Sequence, residues 1–321
     1  MAVSTRRALA LRALGLGDLL TAVPALRALR RGLPGTRITL AAPAVLDPLA
    51  RATGAVDDVL PVDGLEQPLP PAGPVDVAVN LHGRGPQSHR LLAASAPRTL
   101  MAFACPGYGD GPGWDPDEHE VSRWCRLVAA FGFDADPADL DLPAPATASP
   151  APGAVVVHPG AASPARRWPA ERFAAVASAL RDGGERVVVT GGPGEADLAG
   201  RVVRLAGLDE TADLSGRTPL RDLAALVAGA RLVICGDTGV AHLATAFRTP
   251  SVLLFGPTPP GRWGPPTDRA EHHVMWTGHR GDPHGRVPCP GLLDISADQA
   301  IEAAEKALVN AHERGPTRGP R

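Results

Sequence analysis

The chain has 321 residues, 44% of them hydrophobic and 21% charged, with a formal net charge of -2; this length suits two domains of about 150 residues and the composition an ordinary globular protein. There is no basic excess of the kind that nucleic-acid binding requires, and no run of about 18 apolar residues to span a membrane. Cys105, Cys125, Cys235 and Cys289 are widely spaced without a C-x-x-C pair, which argues against a zinc site or a disulfide framework and for free thiols in a reducing cytoplasm.

Apolar β-type runs alternate with helical-period runs throughout, the pattern of parallel sheets covered by helices. The first strand, over 6–13, carries Arg6 and Arg7 and no cleavable signal pattern, so a cytoplasmic protein is expected. It exits through Gly15-Leu16-Gly17-Asp18 into a helix over 19–31. The spacing is not G-x-G-x-x-G and no acidic residue ends the second strand, so no dinucleotide cofactor is expected. Asp18 has two readings: a general base at a domain edge, or an N-cap whose carboxylate accepts the N–H at Thr21. Further strands are expected over 37–42, 57–62, 75–81 and 99–103, with helices over 43–52, 87–94 and 118–131. The segment 80–88, with His82 and Arg84, ends a strand and is expected to face the cleft between the domains, which makes it a candidate acceptor contact; Thr21 is a further candidate. Four prolines between Leu142 and Gly153 then break all periodicity and mark a domain boundary.

In the second half a strand over 154–158 leads through His158-Pro159-Gly160-Ala161 and Ser163 to Arg166, Arg167 and Trp168, ahead of a helix over 170–181. Such a loop is able to wrap a diphosphate with Ser163, backbone amides and an arginine fork; equally, the arginines are solvated and Trp168 staples the helix start. The strand over 186–190 exits through Gly191-Gly192-Pro193-Gly194 to Glu195, a carboxylate suited either to ribose hydroxyls or to the dipole of the helix over 195–206. A helix over 220–229 precedes the strand over 231–234. The chain then reads Cys235-Gly236-Asp237-Thr238-Gly239-Val240-Ala241-His242, a turn whose N–H groups and hydroxyl converge at the positive end of a helix over 238–247. His242 lies one helical turn after Thr238, on the same face. A strand over 251–255 follows, with Arg262 and Trp263 beyond it, and a helix over 297–310 closes the chain. His89, His272 and His312 are expected to have no functional role.

Three motifs in this order resemble the heptosyltransferase family, glycosyltransferase family nine: Gly17-Asp18 through Leu26, His158-Pro159-Gly160-Ala161 through Trp168-Pro169, and Asp237 through His242 with Phe255-Gly256-Pro257-Thr258. The resemblance implies an α/β fold of two Rossmann-like domains facing across a cleft, of the GT-B glycosyltransferase type. The acceptor-binding domain would span 1–145 and the nucleotide-sugar-binding domain 154–296, with a helix over 297–313 packing back on the first. It implies inverting, metal-independent transfer of a sugar, typically heptose from ADP-heptose, to a glycan or glycolipid acceptor such as lipopolysaccharide core. The acceptor would bring peripheral membrane contact, and no cofactor or nucleic acid would take part.

Asp18 then matches the family's base, and Arg166 stands where members often carry lysine; Lys306 is the only lysine of the chain. His158, Gly160, Ser163, Glu195, Asp237, Thr238, Gly239 and His242 match the donor contacts, and Thr218 falls near the adenine pocket. No D-x-D triplet ends a strand, so no metal ligand is assigned. A nucleotide-sugar epimerase on the same scaffold and a non-catalytic nucleotide-sugar-binding protein are the competing readings.

Overall fold

A computed structural model describes residues 6–70 and 73–314. The chain forms two units, the first up to Leu142 and the second from Pro143. Both are α/β, each built on a five-stranded parallel sheet.

The first unit runs β1 (Arg7–Leu11), α1 (Leu16–Thr21), α2 (Val23–Gly32), β2 (Arg37–Ala42), α3 (Asp47–Ala52), β3 (Asp58–Pro61), β4 (Val77–Asn80), α4 (Gln87–Ala93), β5 (Thr99–Met101) and α5 (Glu120–Ala129). Its strand order is β3-β2-β1-β4-β5. The order reverses between β1 and β4, whose register pairs Leu11 with Asn80. The loops leaving those two strands therefore diverge and open a crevice at the carboxyl edge. One of these loops leads into α1, which carries Asp18, and the other carries His82. The single helix expected over 19–31 is broken at Ala22 because Pro24, at the start of α2, has no N–H for the carbonyl four residues back.

The second unit runs β6 (Val155–His158), α6 (Ala170–Asp182), β7 (Val187–Val189), α7 (Ala196–Ala206), α8 (Leu220–Ala228), β8 (Leu232–Gly236), α9 (Gly239–Ala246), β9 (Ser251–Leu254), α10 (Pro260–Trp263), β10 (His272–Met275), α11 (Pro290–Leu293) and α12 (Ala297–Arg314). Its order, β10-β9-β8-β6-β7, reverses between β6 and β8. Strands β6 to β9 are fully buried, which explains their unbroken apolar runs. Strand β10 escaped sequence reading because His272 and His273 interrupt its apolar pattern. It is an edge strand, held by register with β9 and by a 2.8 Å contact between Ser251 Oγ and His272 Nδ1.

Ala300, Ala303, Ala304 and Leu308 of α12 lie in one core cluster with Trp168, Phe173, Leu180, Leu254 and Ile295. These residues of α12 thus belong to the core of the second unit. Trp168 Nε1 donates to Ile295 O at 3.1 Å and its ring meets Phe173 edge-on at 5.0 Å, so this residue anchors the start of α6. Among the described residues no helix is long and apolar enough to cross a membrane. The four cysteines are free thiols.

Candidate active-site residues in each unit

At the carboxyl edge of the first sheet, Asp18 occupies the third position of α1. One carboxylate oxygen accepts the N–H of Gly15 at 3.2 Å. The cap therefore runs backward, as the acidic half of a capping box, and not forward to Thr21 as one reading had it. The other oxygen faces Arg12 Nη2 at 3.5 Å. The Asp18 side chain is 26% exposed, which leaves it open to a ligand.

Arg12, at the end of β1, is buried. Its Nε donates to Asp18 O and its Nη1 to Leu81 O. Its Nη2 reaches Thr21 Oγ1 and Glu120 Oε1, each at 3.1 Å. Glu120 also accepts from Trp124 Nε1 at 2.9 Å and from Arg123 Nη1. Trp124 lies under the Arg12 guanidinium at 4.6 Å and Trp114 under that of Arg123 at 4.3 Å, close enough for cation–π attraction. Removing one partner from a buried ion pair costs about 3–5 kcal/mol, so truncating Arg12 or Glu120 would destabilise the first unit. Burial pushes the Asp18 carboxyl above the usual carboxylate range and Glu120 adds to the rise, while Arg12 opposes it.

Sequence reasoning missed Arg12, Glu120, Arg123 and Trp124. The only local signal was a cation ending an otherwise apolar strand. Thr21, expected at the acceptor, is buried, with its hydroxyl between Arg12 and Asp18 O, so it frames Asp18. His82 is partly exposed in the loop after β4, and burial beside Arg12 lowers its pKa to about 4. It is therefore neutral near pH 7. Arg84 is exposed in the same loop, which Asn80 braces through Gly83 O and Ser88 Oγ.

In the second unit the register pairs His158 with Cys235, so the loops after β6 and β8 start side by side. Arg166, in the turn before α6, sends Nη1 to Asp237 O at 3.3 Å and lies 3.8 Å from Asp237 Oδ2. Its Nε is buried without a hydrogen-bond partner. Thr238 caps α9 with extended backbone and no side-chain bond to the helix, and both it and Gly239 are partly exposed. His242, one turn on, meets Trp263 at 5.8 Å. A cation, a hydroxyl and helix N–H groups thus meet at the β8–α9 turn, an arrangement that suits an anion.

On the other side of β6, His158 Nδ1 lies 3.0 Å from Thr190 Oγ1, and its Nε2 4.0 Å from Glu195 Oε2. Burial pushes His158 below the ordinary imidazole range, against the pull of Glu195. Glu195 accepts the Gly192 N–H at 2.8 Å, and its carboxylate sits against Gly160, where a Cβ would come within 2.3 Å of it. Thr218 lies in the segment that pairs beside β7, through Leu214 N to Val189 O and Gly216 N to Gly191 O. Its hydroxyl donates to Leu214 O at 2.7 Å. Ser163 is buried, and its hydroxyl donates to Pro283 O.

Comparison with known proteins gives concordant findings. The model of the family described as glycosyltransferase family 9 (heptosyltransferase) matches residues 114–284. Lipopolysaccharide heptosyltransferase 3 of Escherichia coli (strain K12) is 32% identical over 164 residues, which cover 48% of this chain and 46% of that protein. Lipopolysaccharide heptosyltransferase 1 of Pseudomonas aeruginosa is 38% identical over 154 residues, 46% of this chain and 42% of that one. The chain spans about half the length of the curated relatives it matches. A family 9 glycosyl transferase structure from Veillonella parvula aligns over 97% of this chain and 99% of its own, with a TM-score of 0.79 and 22% identity. Escherichia coli ADP-heptose lps heptosyltransferase II aligns over 95% and 99%, with a TM-score of 0.75 and 20% identity. These two likenesses establish the fold.

Proposed function

Since the chain belongs to glycosyltransferase family 9 (heptosyltransferase), we propose that it transfers heptose from ADP-heptose to a hydroxyl of a glycan or glycolipid acceptor, with inversion and without a metal ion. The observation that carries this reading is the β8–α9 turn. There Arg166, bound to Asp237, stands next to Thr238 and the first N–H groups of α9, donors of the kind that hold a diphosphate. Glu195, beside His158 and Gly160, takes the ribose hydroxyls, and Thr218 borders the adenine.

In the reaction, Asp18 accepts the proton of the acceptor hydroxyl as that oxygen bonds to the anomeric carbon. The bond from that carbon to the diphosphate oxygen breaks, and its electron pair leaves with ADP. Charge grows on the departing diphosphate in a site of low dielectric, where each fixed donor contributes ~3 kcal/mol. Arg166 supplies the formal positive charge, and Thr238 and the α9 amides the rest. His82 and Arg84 meet the acceptor. The enzyme works in the cytoplasm and touches the membrane only through a lipid-linked acceptor.

Transfer activity is expected to survive EDTA in full and to gain nothing from added Mg²⁺ or Mn²⁺. Loss of activity in EDTA that either ion restores would refute the metal-free reading. Gly160→Ala is expected to weaken ADP-heptose binding by about tenfold, ~1.4 kcal/mol, because the added Cβ displaces the Glu195 carboxylate from its seat on Gly192. Calorimetric titration checks this, and an unchanged Kd would remove Glu195 from the donor site.

A further inference from the structure

The first unit holds a charged cluster larger than a base alone requires. Arg12 and Arg123 are paired with Glu120 and Asp18. Two guanidinium groups and two carboxylates balance only when Asp18 is ionised. Arg12, Glu120 and Arg123 have side chains no more than 6% exposed, against 26% for Asp18. A substrate therefore meets Asp18, and the other three act behind it.

We propose that Arg12 and Glu120 are positioning residues for Asp18: Arg12 fixes the turn that carries the carboxylate and offsets its charge, and Glu120 draws off part of that offset so that the carboxylate stays basic enough to take a proton. The inference rests on the reading of Asp18 as the base. Arg12 is suited to the task by its reach. It joins the backbone of Asp18 to Leu81 at the exit of β4 and to Glu120 at the start of α5, so three elements fix the position of one side chain. Glu120 Oε1 is shared between Arg12 and Trp124 Nε1, which holds it facing Arg12, and Arg123 secures its other oxygen.

Among the described residues the charged groups that act on Asp18 are Arg12, just past β1, and Glu120 from α5, with Arg123 behind it; His82, in the loop after β4, lies beside Arg12. His82 is neutral near pH 7 and contributes no charge there. Like charge from Glu120 and opposite charge from Arg12 act on Asp18 in opposite senses. Removing the charge of Glu120 exposes Asp18 to the full cation and makes it a weaker base.

The test is Glu120→Gln, which keeps an acceptor oxygen for Arg12 and Trp124, removes the charge and replaces the oxygen that accepts from Arg123 with an amide N–H₂, so thermal melting is measured alongside. The Asp18 carboxyl is followed by ¹³C NMR titration, its signal identified by its loss in Asp18→Asn. In Glu120→Gln the Asp18 midpoint is expected to fall by about one pH unit. The acid limb of the kcat profile should fall with it, and the donor KM should not change. Arg12→Lys keeps the charge but loses the fork, and is expected to lower kcat roughly 10- to 100-fold with the donor KM again unchanged. A midpoint that stays or rises in Glu120→Gln overturns the proposal. A midpoint that falls while the acid limb stays supports the coupling and overturns the assignment of Asp18 as the base.

Discussion

Asp18→Asn lowers kcat at least ~100-fold, the low end of what a general base contributes, and leaves the affinity for ADP-heptose unchanged. The amide keeps an oxygen to accept the Gly15 N–H that the carboxylate now accepts at 3.2 Å, so the start of α1 is preserved. What is lost is the group that takes the proton. Steady-state kinetics with calorimetric donor binding check both halves of this expectation.

The pH dependence follows from the same environment. Burial raises the Asp18 carboxyl above the usual range, helped by Glu120 and opposed by Arg12, and the active form is the ionised one. The rate of the unmodified enzyme is therefore full above that raised midpoint and falls as the pH drops through it, at a pH higher than an ordinary carboxylate would give. Near-normal turnover in Asp18→Asn would return this residue to its capping role.

Arg166→Met lowers kcat by about 10²- to 10³-fold, the effect of losing one donor to the developing charge. Arg166 is the cation held at the β8–α9 turn by Asp237, and its Nε has no hydrogen-bond partner. Arg166→Lys keeps the charge without the planar fork and is expected to stay within about tenfold of the original rate. Because the methionine removes one partner of the buried Asp237, thermal melting of both variants is measured alongside the kinetics. Turnover in Arg166→Met equal to the original would place the leaving-group cation elsewhere.

The sheets were legible because parallel strands buried on both faces must be apolar, as Val155–Val157 and Leu232–Cys235 are. Glycine-rich exits then marked their carboxyl ends, and with them the loops of His158, Glu195, Asp237 and Asp18. Strand β10 was illegible because an edge strand tolerates the polar His272 and His273. The break between α1 and α2 was signalled by Pro24, which the apolar period masked. The Arg12 cluster was hidden for a different reason. Its members lie 108 positions apart, from Arg12 to Glu120, and only the neighbouring positions of β1 and β4 and the packing of α5 bring them together. The bonding of Ser163 was equally unreadable, since its partner Pro283 lies 120 positions away. The direction of the Asp18 cap depended on where α1 begins, and helix ends are the least certain feature of a sequence pattern.

In the proposed reaction a sugar leaves a nucleotide for another molecule's hydroxyl, and proton NMR of one reaction mixture observes that directly. With ADP-heptose and a glycan acceptor present, the anomeric signal of the donor should disappear only when acceptor is added, and reappear in the glycoside with the opposite configuration as ADP accumulates. A donor recovered intact, or converted to its epimer with no glycoside formed, would contradict the account.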